Sequence, residues 1–346
     1  MKKLFVCFVA LIAWSTGHTH DMGEAMEKVL PAITYIRASQ FQTVKEVNPV
    51  TKEVTEKTVQ VTPVVGTGFI IEGNIVVTNY HVISKAVTNG TDIYVSFIES
   101  NERHKAAIIG YDKIADVALL RLEGEFPSVT IDNCECLHMG QEVFTISHFY
   151  GIGWSATNGI VSSTERDDPR YPYIKNIQLQ ILSGSGSSGG AVFNTDGDVV
   201  GLNRAIISMN VSALSTGNRS QLSMVAFPVR GDSLIDSIKR IKNSHIVMRV
   251  DLGVQLIEFG SDSGYHVNEN PDFFTGVVVF AKSKDSLTPL RTSDIIISVD
   301  KHTFTSPSEL LEYLDRKYEP GDVVKFYVYR DEQVINIDVT LESVGG

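Results

Sequence analysis

The chain has 346 residues, 43% apolar and 21% charged, the balance of a soluble globular protein long enough to bury two or three cores. A formal net charge of -11 excludes a general nucleic-acid or anionic-membrane surface, because either needs concentrated Lys and Arg. None of the three cysteines has a His or Cys partner at metal-ligand spacing, so neither a metal nor an organic cofactor is expected.

The chain opens MKKLFVCFVALIAWSTGHTH: Lys2 and Lys3, an apolar run over 4–14, then small and polar residues. That order predicts a secretory signal peptide over 1–17, cut after Gly17, and hence an exported protein, periplasmic or secreted. The run is shorter than the ~20 apolar residues of a transmembrane helix. Left uncut, it would serve as an N-terminal anchor. Cys7 follows Val6, which is too bulky for a lipid-modified cysteine signal, so Cys134 and Cys136 are the mature chain's cysteines. Their C-x-C spacing suits a strained local disulfide or two small packed side chains, with no catalytic role in either case.

Residues 18–231 read as short apolar strands parted by Gly, Asn and Asp turns: GTGFII, NIVVTN, DIYVSFI, AAIIGY, DVALLRL, EVFTIS, NGIVSS, AVFNTDGDVVGL and LSMVAFPV. Such spacing predicts an antiparallel barrel or sandwich. Over 41–63, Val and Thr alternate with Lys and Glu around Asn48-Pro49, predicting an exposed hairpin arm with a polar tip. At Asp232 the period changes. DSLIDSIKRIKN puts Leu234, Ile235, Ile238 and Ile241 on one face, so 232–245 is a joining helix with Asp232 as its N-cap. Residues 246–346 form a second, mostly β domain with one helix, announced by Ser306-Pro307-Ser308-Glu309 ahead of Leu310, Leu311 and Leu314. Its strands VVKFYVYR and QVINIDVTL meet at an Asp331-Glu332 turn.

The chemistry gathers around ILSGSGSSGGAVFNTDGDVVGLN. A Gly/Ser run usually makes a solvated linker, yet here it runs straight into a hairpin, so its backbone must approach something closely. A reacting carbonyl would fit, with a serine as nucleophile. Such a serine needs a base, and the base an orienting acid. His81, in VVTNYHVIS, follows an apolar strand at the start of an expected turn; Asp116, in DKIADVALLRL, precedes a buried strand. Alone, each residue is an ordinary surface histidine or turn-forming aspartate. Their joint order carries the signal.

Taken together, GTGFII, NIVVTNYHVI, DVALLRL, TNGIVSS, GSSGGAVFNTDGDVVGLN and AFPV resemble the chymotrypsin-fold serine proteases of the high-temperature-requirement (HtrA/Deg) family, which carry one or two C-terminal PDZ domains. The resemblance covers nearly the whole mature chain. It implies a mostly β fold: a chymotrypsin-like double β-barrel followed by a small PDZ domain with one or two helices. It makes His81 the general base, Asp116 the orienting acid and Ser188 the nucleophile, with the N–H groups of Gly186 and Ser188 as the oxyanion hole. Ser188 is preferred to Ser183, Ser185 and Ser187 because it alone fits Gly-x-Ser-Gly-Gly. Ser187 stands where the family often has Asn, Ala191 replaces the usual Pro, and QLQILSGS departs from the usual approach to the loop. Leu182 takes the S1-pocket position that holds an acid in trypsin-like enzymes, so a small or medium aliphatic P1 residue is expected rather than Lys or Arg. His148, in SHFYGIG, lacks the setting of His81 and is read as structural.

In the second domain VDLGVQL, GVVVFAK and TPLRTSDIIISVD resemble PDZ segments, with Pro289 and Ser293 in place of glycines. The resemblance makes Leu252, Gly253 and Val254 the carboxylate-binding loop for C-terminal peptides and offers Leu310, Leu311 and Leu314 as an apolar wall. It also implies a homotrimer with contacts near 22–35. The expected function is an exported serine endopeptidase cleaving misfolded or specific envelope proteins under PDZ control. The alternative is an inactive peptide-binding or chaperone-like protein on the same fold. An esterase is disfavoured because its strand-to-helix nucleophile elbow is missing.

Overall fold

The computed structural model describes residues 21–47, 52, 54–98, 100, 102–149, 153–167, 174–204, 223–259 and 276–345. The signal segment and the tip of the hairpin arm lie outside them. Chain entry is a short helix, α1 (Met22–Val29), capped by the Asp21 carboxylate on the Gly23 N–H.

Six strands then close a first barrel: β1 (Ile33–Val47), β2 (Val54–Ile71), β3 (Ile75–Thr78), β4 (Ile93–Phe97), β5 (His104–Asp112) and β6 (Val117–Arg121), in the order β1-β2-β3-β6-β5-β4. The β1–β2 pairing runs out to Val47 opposite Val54, which makes the expected arm a hairpin. Ile36, Ile70, Val76, Val95 and Leu120 fill the barrel. Helix α2 (Tyr80–Asn89) sits where a turn is expected after β3, and its Val82, Ile83 and Ala86 enter the same core.

The second barrel uses β7 (Glu142–Phe149), β8 (Gly153–Asp167), β9 (Lys175–Ser183), β10 (Ala191–Phe193), β11 (Val199–Leu202), β12 (Ser223–Ala226) and β13 (Val229–Arg230). Its sheet runs β12-β9-β13-β11-β10-β7-β8, and the further β8–β9 pairing closes the ring. Between the barrels, Phe69, Val77 and Leu119 of the first pack with Phe144, Phe193 and Leu202 of the second in one continuous core. Each such fully buried side chain contributes roughly 1.5–3 kcal/mol, so the seam between the barrels is held rigidly. Helix α3 (Gly231–Ser244) adds Leu234, Ile238 and Ile241 to that core. It begins one residue before the sequence suggests: Arg230 is its N-cap, and Asp232 lies in the first turn, its charge at the positive helix end.

After α3 the chain pairs briefly with β5, Tyr111 N–H donating to the His245 carbonyl (2.8 Å) and Val247 N–H to the Tyr111 carbonyl (3.0 Å). Gly110 permits this approach, since a Cβ there would lie 2.0 Å from the His245 oxygen. The C-terminal part holds β14 (Arg249–Asp251), β15 (Val254–Glu258), β16 (Val277–Lys282), β17 (Ile295–Val299), β18 (His302–Thr303), α4 (Pro307–Lys317), β19 (Val323–Arg330), β20 (Gln333–Thr340) and β21 (Glu342–Val344). One sheet runs β15-β16-β17-β19-β20 with β18 on β17, while β14 pairs with β21. Leu310 and Leu314 of α4 cover that sheet over Val279, Ile296 and Phe326. The predicted cap of α4 is present, Ser306 Oγ accepting the Glu309 N–H at 3.2 Å. Glu309 in turn accepts from the N–H of Thr305 at 2.9 Å, one residue outside the usual capping box.

Candidate active site

Asn79 and the end of β3 lead directly into α2, so His81 stands on the first helical turn with its side chain 41% exposed. Asp116 closes the turn between β5 and β6 in a left-handed conformation, φ 57°, which Asp tolerates better than most residues. The two side chains meet: His81 Nδ1 lies 2.7 Å from Asp116 Oδ2, and the His81 backbone N–H donates to Asp116 Oδ1 at 2.9 Å. Asn79 Nδ2 and the Tyr80 N–H both donate to the Asp116 carbonyl, at 2.8 and 3.2 Å. Upstream, Asp112 Oδ1 accepts the N–H groups of Ile114 (3.1 Å) and Ala115 (3.0 Å), which shapes the turn that presents Asp116.

The Gly/Ser stretch is a built loop. Ser188 and Gly189 lie against Thr67 on β2 and the Thr78-Asn79 end of β3, two residues before His81. Thr67 N–H donates to the Ser188 carbonyl at 2.9 Å, and Thr67 Oγ1 to the Gly186 carbonyl at 2.8 Å. Gly189 has φ 82°, and a Cβ there would sit 2.2 Å from the Thr67 oxygen, so only glycine fits. Ser187, in the place of the usual Asn, is buried and donates its hydroxyl to the Gly184 carbonyl at 2.7 Å. Among the described residues no acceptor takes the N–H of Gly186 or of Ser188. Nor does Ser188 Oγ form a hydrogen bond among them; in resting sites of this kind the nucleophile–base bond tightens with substrate.

Leu182 is half-buried at the end of β9, its carbonyl fixed by Thr157 Oγ1 at 3.1 Å. His148 donates its N–H to Thr67 Oγ1 at 3.2 Å, packs against Tyr35 with the rings tilted by 35° (centroids 4.3 Å apart) and meets Trp154 edge-on. Burial, helped by the positive charge of Arg37, lowers its pKa, and its Nδ1 is buried without a partner among the described residues. Cys134 is buried in a core cluster and Cys136 exposed, both as free thiols among the described residues, so the local disulfide does not form and only Cys134 is a packed side chain.

In the C-terminal domain Leu252 is fully buried, Gly253 turns with φ 66°, and Val254 and Leu311 are half-buried between β15 and α4. Leu310 and Leu314, offered as wall residues, belong to the core instead. A cleft of about 560 Å³ lies at the junction of the domains between Lys175, Arg230, Arg249, Glu312 and Asp315, and none of His81, Asp116 and Ser188 lines it. Asp112, Asn79, Thr67 and Thr78 escaped the sequence reading. The available signal was polar residues inside otherwise apolar strands, all four of them fully buried.

The family model "Trypsin-like peptidase domain" matches residues 66–202, and "PDZ domain" matches 250–341. A "Probable periplasmic serine endoprotease DegP-like" of Halomonas elongata is 31% identical over 282 residues, 80% of this chain and 56% of that protein. Across both domains the chain is similar to DegP-like and HtrA-type serine proteases. A second DegP-like relative, from Marinomonas sp., is 28% identical over 376 residues, covering 99% of this chain and 76% of the relative. Several of the DegP-like relatives are longer, the chain spanning a little over half of their length, 56%. Two solved structures share the fold. They are the "HtrA-type protease AlgW with tripeptide" (TM-score 0.72, 21% identity, 94% of this chain and 98% of that one) and the serine endoprotease from Yersinia pestis (TM-score 0.66, 19% identity, 94% and 98%).

Proposed function

We propose that this chain is an exported, periplasmic serine endopeptidase in which Ser188 attacks the peptide carbonyl, His81 takes and returns the proton, and Asp116 orients His81. The observation that carries the reading is the His81–Asp116 pair, held by two hydrogen bonds beside a loop whose Gly186 and Ser188 N–H groups have no acceptor among the described residues. With Asp116 on Nδ1, the other ring nitrogen is the one left to accept the Ser188 proton. As the carbonyl becomes tetrahedral, its oxyanion receives the two free N–H groups, each worth ~3 kcal/mol in a preorganised hole. His81 then protonates the leaving amine, and water releases the acyl group by the reverse path.

Leu182 at the S1 position puts no carboxylate opposite a basic P1 residue, so aliphatic side chains are the preferred cut site. The substrates are misfolded or specific envelope proteins, and C-terminal or extended peptides engage the groove between β15 and α4 to control activity. The domains run 18–231 and 246–346, with 232–245 between them, and the family resemblance favours a homotrimer joined near 22–35. The "periplasmic" name of the curated relatives supports the compartment.

The test is casein cleavage by the mature protein beside Ser188→Ala. Wild type should cleave, and the variant should lose at least ~10³-fold in kcat. Equal cleavage by both sinks the assignment of Ser188. No cleavage by either, with or without peptides ending in apolar residues, leaves the binding-only alternative.

A further inference from the structure

In a PDZ domain the terminal carboxylate of a peptide is received by backbone N–H groups of the loop before the edge strand. Here two of those donors are already taken. Asp251 Oδ1 accepts the N–H of Leu252 at 2.8 Å and that of Gly253 at 3.2 Å. A second carboxylate stands behind the loop: Glu342 is the register partner of Asp251 across β14 and β21, and its Oε2 is 2.8 Å from where a Gly253 Cβ would lie. Glu342 Oε1 is itself committed to Ser286 Oγ (2.6 Å), Leu287 N–H (2.9 Å) and Thr288 N–H (3.2 Å), which fixes it in place. Lys282, opposite Val254 on β16, gives its ammonium to the Thr288 carbonyl rather than to the loop. An arriving carboxylate would therefore meet two negative groups and compete with one of them for the same donors.

Among the described residues the rest of the groove is open. β15 is the edge strand of its sheet, and no described strand pairs with its outer side. Val254 and Leu256 on β15 and Leu311 on α4 are half-buried against the domain core, a partly apolar track beside free backbone groups. Strand addition along that edge draws its affinity from main-chain bonds and side-chain contacts, with no need for a chain end. We infer that the PDZ groove of this protein is built for internal extended apolar segments, and that Asp251, acting as a built-in carboxylate, removes the usual preference for a free C-terminus. The inference rests on the reading of this groove as a peptide-binding site.

The probe is a fluorescein-labelled decapeptide library with Leu, Val or Phe at the last three positions, made as free acids, as C-terminal amides, and with the same three positions followed by a Gly/Ser tail. Binding to the full chain carrying Ser188→Ala is read by anisotropy, with Asp251 intact, Asp251→Ala and Asp251→Asn. With Asp251 intact, amides and tailed peptides should bind at least as tightly as acids. Asp251→Ala should bring a preference for acids of about tenfold or more, and Asp251→Asn, which keeps the acceptor without the charge, a smaller one. An acid preference of about tenfold with Asp251 intact overturns the inference and leaves the peptide-binding reading standing. So does an acid-to-amide ratio that Asp251→Ala leaves unchanged. Failure of all three peptide forms to bind all three proteins overturns the peptide-binding reading and the inference with it.

Discussion

At Asp116 a single carboxylate answers two N–H donors of the same residue: one oxygen takes the His81 backbone, the other the His81 ring. The first bond fixes where the imidazole begins and the second fixes its tautomer. Asp116→Asn keeps the size but offers an amide, which turns the ring to the wrong tautomer. The expected outcome is a fall in kcat of about 10⁴ with KM little changed, measured on a chromogenic peptide. His148 makes a different prediction. Burial lowers its folded pKa, so the unfolded chain binds more protons below the unfolded value of about 6.5. Stability is full above that value and is lost as the pH falls through it. His148→Phe keeps the ring contact with Tyr35 without the charge, and should flatten the decline of Tm between pH ~7 and ~5. Equal slopes for the two proteins would remove His148 as a source of acid sensitivity.

Strands and helices differ in how plainly they were written into the chain. The two barrels were legible because alternation and Gly/Asn/Asp turns mark half-buried strands, and IVVT and VVGL are short runs buried on both faces. α2 was not. Val82 and Ile83 are β-branched, and Asn79 makes no side-chain cap, so nothing at its start announces a helix; the one signal was Gly90, which ends it at φ 62°. The placement of His81 on a helix rather than a turn follows from that miss. Residues in the loop at 184–190 were legible by type, but its bracing by Thr67 comes from a strand more than a hundred residues away, and no local pattern encodes such a contact. α4 shows the opposite case, where Ser306-Pro307 states the boundary outright. Ser306→Ala should cost about 1 kcal/mol, read as a lower urea midpoint at unchanged slope. A change below ~0.3 kcal/mol would mean that Pro307 and the Thr305–Glu309 bond hold the helix start without it.

The two domains meet through a buried ion cluster beside a small apolar contact, where Val247 and Val344 join the barrel core that holds Ile114. Arg249, only 1% exposed, opens the C-terminal domain and reaches Asp112 of β5 at 2.6 Å, Asp315 of α4 at 2.7 Å and Ser237 of α3 at 3.2 Å. Burial alone would lower the Arg249 pKa, but Asp112 and Asp315 overcome it and raise the pKa, so the cluster stays ionised. Lys175 and Glu312 also face each other across the junction, at 3.7 Å and partly exposed, and pairs of that kind contribute little. Mechanical coupling between the domains therefore concentrates on the buried cluster of Arg249, Asp112 and Asp315, which Arg240 of α3 joins at 3.0 Å from Asp315. Arg249→Met removes the central cation and leaves buried Asp112 without one, while Asp315 keeps Arg240 at 3.0 Å, a change that costs about 3–5 kcal/mol. Because the cost falls at the junction and each domain keeps its own core, the expected urea curve has two steps where wild type has one. Separate probes make this visible: fluorescence of Trp154, on β8 of the second barrel, and cleavage by an added protease within 250–341. Coincident transitions in the variant would place the coupling in the pairing of β5 with 245–247 instead, and Gly110→Ala, which forces those two backbones apart, would then be the substitution that separates the domains.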